Sequence, residues 1–134
     1  IVIDSKLALE TVQYLYSELG YQYLVDLTGS HYPESENQEF QVVFHIQNLS
    51  ENARLRIKSN LSKDQLEFPS LTSIFSSSNW MERETFDFYG IQFVGHPDLR
   101  RILNVDDMDY HPMKKEYALE DETRVDKNDT FFGR

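Results

Sequence analysis

The sequence predicts an α+β domain, a small and mostly antiparallel sheet packed with helices, followed by an extended C-terminal arm. Three observations predict it. Segment 5–19 carries apolar residues at helical spacing, about 80–89 opens with a capping-box-like start, and each runs into a glycine. Between them, 40–46 is rich in β-branched and aromatic residues, and 21–27 and 53–58 alternate as strands do. After about residue 104 the periodicity fades while large apolar residues persist.

Each element has its own signal. Leu7, Ala8, Val12, Leu15, Tyr16 and Leu19 mark one face of the first helix. Ser5 is placed to cap it and Gly20 to end it. Tyr21, Tyr23, Val25 and Leu27 alternate as a strand does, and 28–38 is polar and rich in turn formers. The run 40–46 is the second strand. In 53–58, Leu55 and Ile57 alternate with Arg54, Arg56 and Lys58, and the short polar loop before it predicts a hairpin. Pro69 and Ser70 open a helical turn over 71–75. Asn79 with Glu82 three residues on resembles a capping box for the second helix, and Gly90 is placed for a left-handed end. Residues 91–94 return to an extended form. The globular domain therefore spans 1–104 and the arm 105–134. The arm is acidic, with Asp106, Asp107, Asp109, Glu120, Asp121 and Glu122. It also carries Tyr110, Met113, Tyr117, Leu119, Phe131 and Phe132. A solvated tail rarely needs such side chains, so the arm is expected to lie on a partner that orders it.

Composition narrows the function. The 134 residues suffice for one domain with its own core. No run approaches the roughly 18 apolar residues of a spanning helix, so no direct membrane insertion is expected. The absence of cysteine removes disulfides, thiolate metal sites and the usual ligands of iron–sulfur clusters. A net charge of −10 argues against nucleic acid and against an anionic membrane surface.

The chemistry-bearing residues concentrate between 80 and 103. Arg83 and Asp87, four apart, share a helical face; Glu84 and Asp87, three apart, repel unless a cation intervenes. Four readings compete. Glu82, Glu84, Asp87 and His96 could serve acid–base chemistry, as in a stand-alone hydrolase, but nothing supplies a nucleophile or an oxyanion site. The histidines at 31, 45, 96 and 111 are scattered, without helical ligand spacing for a metal. The cluster could be a salt-bridge network internal to the domain. Alternatively, its arginines and aromatics anchor another subunit.

The run Glu82, Arg83, Glu84, Asp87, Phe88, Tyr89, Gly90, Ile91, Phe93, Gly95, His96, Pro97, Asp98, Leu99, Arg100, Arg101, Ile102 and Leu103 resembles the signature of the C-type, thirty-kilodalton subunits of respiratory complex I. Residues 23–28, 40–45 and 79–80 are similar to the family's flanking pieces, and 111–115 to its His-Pro-Leu-Arg-Lys element. The departures are Met108, Asp109 and Tyr110, where a Trp and a Gly are common, and Lys114-Lys115 in place of Arg-Lys. Residues 116–134 are the least family-like.

The resemblance implies a non-catalytic peripheral-arm subunit of an NADH:quinone oxidoreductase. It would pack on the D-type and B-type subunits at the cytoplasmic face of the bacterial inner membrane. NADH, flavin, iron–sulfur clusters and quinone would belong to partner subunits, leaving no cofactor and no catalytic or metal site here. The implied signature and interface residues are Glu82, Arg83, Glu84, Asp87, Gly90, His96, Pro97, Asp98, Arg100, Arg101, His111, Lys114 and Lys115. Arg83, Arg100 and Arg101 would pair with carboxylates inside the domain and across the interface. A membrane-bound hydrogenase or related dehydrogenase with an equivalent subunit is the nearest alternative.

Overall fold

The structure is a computed structural model that describes residues 1–117. Leu119, Phe131, Phe132 and the other arm residues beyond Tyr117 lie outside the described residues. A 3-10 turn at Ser5–Leu7 runs into helix α1 (Ala8–Ser17). Asp4 rather than Ser5 caps the 3-10 turn, because the extended backbone at Asp4 lets its carboxylate accept from the Lys6 N–H at 2.9 Å, and α1 itself starts after Leu7 without a side-chain cap. Ala8, Val12 and Leu15 are buried at three- and four-residue spacing. Leu7 and Leu19, expected on the same face, are exposed. Gly20, at φ +70°, turns the chain away, and Tyr21 closes the end by donating to the Leu15 carbonyl.

Strands β1 (Tyr23–His31), β2 (Phe40–Asn48) and β3 (Ala53–Leu61) form an antiparallel sheet in sequence order. Phe40, Val42, Phe44 and Ile46 alternate inward along β2 and form the centre of the core with Ile57 and Leu61. β1 departs from the sequence expectation twice. Its register shifts between Leu24 and Asp26, so Leu24 and Leu27, three apart, both face inward while Tyr23 is exposed. It also continues to His31, through residues that read as turn, because 28–31 pair fully with 40–43. The bend is correspondingly shorter, from Tyr32 to Glu39, whose N–H and C=O close it at 2.6 Å.

A second, two-stranded sheet has no counterpart in the sequence expectation. β4 (Glu67–Pro69) and β5 (Gln92–Val94) pair in parallel, and three residues are too few to show a period. Phe68 at its centre sits edge-on to both Phe44 and Phe93, each 6.1 Å away.

Helix α2 (Ser78–Tyr89) ends at Gly90, at φ +78° in the left-handed region. Its start differs from the expected capping box. Asn79 is not the cap, and the Glu82 carboxylate does not turn back on its own helix. It is fully buried and accepts from the Leu71 N–H and the Ser70 hydroxyl, both at 2.7 Å. A buried carboxylate must find donors, and those nearest belong to the 71–75 turn, whose first N–H has no partner within the turn. No helix among the described residues is long and apolar enough to cross a membrane.

α2 packs on β1 at Gly29. A Cβ there would stand 2.8 Å from Tyr89 Cδ2 and 3.1 Å from Thr85 Cγ2. Gly29→Val therefore forces helix and sheet apart. We expect it to cost about 1–3 kcal/mol of stability, read from urea unfolding. An unchanged unfolding midpoint would show that the helix rests on β1 without close packing.

Candidate functional site

Several of the signature residues gather at the C-terminal end of α2, where the polypeptide doubles back over the helix. Asp87 has no solvent exposure. Its Oδ2 accepts from three consecutive backbone N–H groups, Ile102 at 3.1 Å, Leu103 at 2.8 Å and Asn104 at 2.9 Å. Its Oδ1 accepts from Arg101 Nη1 at 2.6 Å and Asn104 Nδ2 at 3.1 Å. One carboxylate thus organises the whole turn at 101–104. Burial pushes its titration up. The Asn104 and Leu103 N–H groups, with Arg101 and the Asn104 side chain, outweigh that and hold it well below the usual carboxylate range.

Arg101 carries the grip further along the sequence. Its Nη2 donates to the carbonyls of Met108 at 2.7 Å and Tyr110 at 2.8 Å. Two α2 carbonyls with no helical partner are also met by this segment. His111 donates from Nδ1 to the Asp87 carbonyl at 2.9 Å, and the Met113 N–H donates to the Phe88 carbonyl at 3.1 Å. Gly90 makes room for this, since a Cβ on it would lie 2.7 Å from His111 Cδ2.

Arg83, one turn earlier, donates to the carbonyls of Arg100 at 3.1 Å and Arg101 at 2.8 Å, and lies 5.5 Å from the Trp80 ring centroid. It pairs with backbone rather than with a carboxylate. Arg101 is the cation that faces Asp87. Arg100 pairs with Asp98 at 2.9 Å on the open surface, where such a pair contributes little. Gly95, at φ +88°, begins a turn in which Pro97 is exposed.

The acid–base candidates occupy different environments, though His96 lies near enough to Glu82 to favour its charged form. Glu82 is buried, its titration raised by desolvation against the opposing hydrogen bond from Ser70, whereas Glu84 is exposed. His96 has both nitrogens occupied. Nδ1 accepts from the Asp98 N–H at 3.0 Å, so Nε2 carries the proton and donates to the Asn79 carbonyl at 3.1 Å. Lys114 and Lys115 lie away from this cluster. The Lys115 N–H donates to His31 Nδ1 at 2.9 Å, and Lys114 Nζ is 5.8 Å from the Phe40 ring centroid. Asn104 is a participant that sequence reasoning does not single out, whereas Trp80, Ser70 and His31 enter it in other roles. Asn104 has a visible signal, a short amide directly after the Arg101–Leu103 run.

A family model described as respiratory-chain NADH dehydrogenase, 30 Kd subunit, matches residues 1–123. The chain belongs to that family. It is 43% identical over 119 residues to the C subunit of the NADH-quinone oxidoreductase of Moorella thermoacetica, covering 89% of this chain and 78% of that protein. It is 46% identical over 96 residues to the protein of the same name from Azorhizobium caulinodans, covering 72% of this chain but 44% of that one. The chain thus spans under half the length of this second relative. A solved structure of a trypsin-resistant fragment of Nqo5 superposes with a TM-score of 0.67 at 28% identity, covering 73% of this chain and 80% of that one.

Arg101→Ala strands a buried carboxylate and should cost about 3–5 kcal/mol in denaturant unfolding, while Arg101→Lys, with no planar fork, should recover only part of it. The Asp87 contribution is complete above the ordinary aspartate range. It is lost only as pH falls below that range toward the depressed native value, so the difference between wild type and Asp87→Asn should shrink on acidification. An equal difference at about pH 7 and about pH 3, on either side of the ordinary aspartate range, would contradict that assignment.

Proposed function

We propose that the chain is a non-catalytic peripheral-arm subunit of a proton-pumping NADH:quinone oxidoreductase. In this reading it scaffolds the quinone-reducing module by packing on the D-type and B-type subunits, at the cytoplasmic face of a bacterial inner membrane. Family membership and the shared name of the relatives support the choice of complex. Flavin, iron–sulfur clusters and quinone then belong to partners, in keeping with a chain that has no cysteine to ligate a cluster.

One observation carries the scaffold role. From 101 to 113 the backbone turns its polar groups inward, onto Asp87, Arg101, Arg83 and the end of α2. The apolar side chains of the same segment face outward. Leu103 is 65% exposed and Val105 62%, with Tyr110 and Met113 also exposed. Trp80, on the first turn of α2, is 61% exposed. A segment fixed so firmly with its apolar side chains outward has the character of an interface core, rich in aromatic and aliphatic anchors. The described residues 105–117 act here as the start of a partner-binding arm.

The test replaces apolar anchors without touching the grip. Leu103→Asp with Val105→Asp leaves the backbone contacts of the turn in place and should alter the stability of the isolated chain by no more than about 0.5 kcal/mol per site. In the native source the double variant should reduce co-purification with the other oxidoreductase subunits, and membrane NADH:quinone reductase activity with it, by about tenfold or more, as expected when central anchors of an interface are lost. Normal recovery and activity would reject this surface as the partner contact.

A further inference from the structure

The last described fastening of the arm is made to a titratable ring. His31 ends β1, and its Nδ1 accepts from the Lys115 N–H at 2.9 Å, a contact between residues 84 apart in sequence. The ring is held in place by stacking on Phe40, with centroids 4.2 Å apart and planes 9° from parallel. A cleft of about 350 Å³ opens beside it, lined by Glu39 and Lys63 on the sheet side and by Lys114, Lys115 and Glu116 on the arm. These are the charged groups that face the ring.

A backbone N–H only donates, so Nδ1 must present its lone pair and the ring must be neutral, with its proton on Nε2. Adding a proton places N–H against N–H. We propose that His31 is a pH-sensitive latch, its neutral ring holding residues 114–117 of the arm against the sheet and its protonated ring releasing them. The other histidine that fastens the arm behaves differently. His111 donates from Nδ1 to a carbonyl, and a protonated ring keeps that bond. Acidification therefore frees the end of the arm and spares the Asp87 turn. The inference stands on this intrachain contact and does not depend on which partner the arm meets.

The direction of linkage agrees with the geometry. Burial disfavours the charged ring, Lys114 and Lys115 add to that effect, and Glu116 and Glu39 oppose it. The net result holds His31 below the ordinary imidazole value. The docked state thus binds protons less readily than the released one. Docking is complete above the ordinary imidazole range near about pH 6.5 and weakens as pH falls through it.

The experiment is NMR on the complete chain across about pH 5 to 8, the span that brackets imidazole titration, following the His31 ring nitrogens and the Lys115 amide together. Corrected for intrinsic exchange, the opening equilibrium of the Lys115 amide should rise by up to about tenfold per pH unit over the window between the released and docked titrations. The amide shift should share its midpoint with the His31 ring. His31→Asn places an acceptor oxygen close to the Nδ1 position without a titration, so its Lys115 protection should stay flat over the same range. A Lys115 amide that ignores the His31 titration in the wild type, or one that opens identically in His31→Asn, overturns the latch.

Discussion

Asp87 lies in the last turn of α2, where the helix dipole is already negative, and it has no contact with water. A carboxylate in that position must be satisfied from elsewhere in the molecule. It takes three successive N–H groups and an amide from 102–104, together with the guanidinium of Arg101. Much else follows from meeting that demand. The backbone has to leave α2 at Gly90, travel out through β5 and the Gly95 turn, and return across the helix end. It then continues over the remaining α2 carbonyls, which receive His111 and the Met113 N–H. The negative end of the helix is covered by donors from the returning segment, Arg101 and 102–104 before the arm and His111 and Met113 within it.

This arrangement inverts the usual division of polar and apolar groups. In the sheet the backbone pairs within the layer and the apolar side chains of β2 turn to the core. In the 101–113 segment the interior is polar, built from Asp87, Arg101, Arg83 and backbone carbonyls. The side chains left outside are Leu103, Val105, Tyr110 and Met113. Hydrogen bonds to charged groups are directional, so they fix this segment without consuming its apolar surface. An apolar core could anchor the same stretch only by burying the very side chains that a partner would use. In the proposed scaffold role, the charged cluster and the exposed apolar groups are two halves of one device. That is why internal salt bridging and interface building, which look like rival explanations of the charges, need not exclude each other.

The architecture is legible in the sequence where periodicity is long enough to be counted. α1, α2, the three long strands and the left-handed glycine ends all show as patterns of apolar spacing or of glycine placement. The misses arise where distant residues set the local outcome. The inward pair Leu24 and Leu27 depends on a register shift against β2, and β4 exists only because β5 lies beside it. Glu82 has the spacing of a local cap, yet burial sends it to Ser70 and Leu71. Within the cluster, Arg83 and Asp87 share a helical face, and simple spacing would pair them. The fold gives Asp87 to Arg101 instead and turns Arg83 to the carbonyls of the returning segment. Composition and spacing identify which residues matter, and tertiary return decides who partners whom.

From residue 101 to residue 115 the fastenings change in kind. At 101–104 the holder is a carboxylate kept ionised far below its ordinary range, and no physiological pH reaches it. At 111–113 the holders are helix carbonyls, which do not titrate. At 115 the holder is an imidazole lone pair, available only while the ring is neutral. Local opening proceeds from whichever contacts are weakest, so this order makes the arm loosen from its far end toward Asp87. The apolar side chains closest to the Asp87 turn stay fixed throughout, while the position of 114–117 responds to the ring at the end of β1. A partner that meets Leu103 and Val105 first would then find a rigid surface, with adjustment confined to the segment beyond Met113.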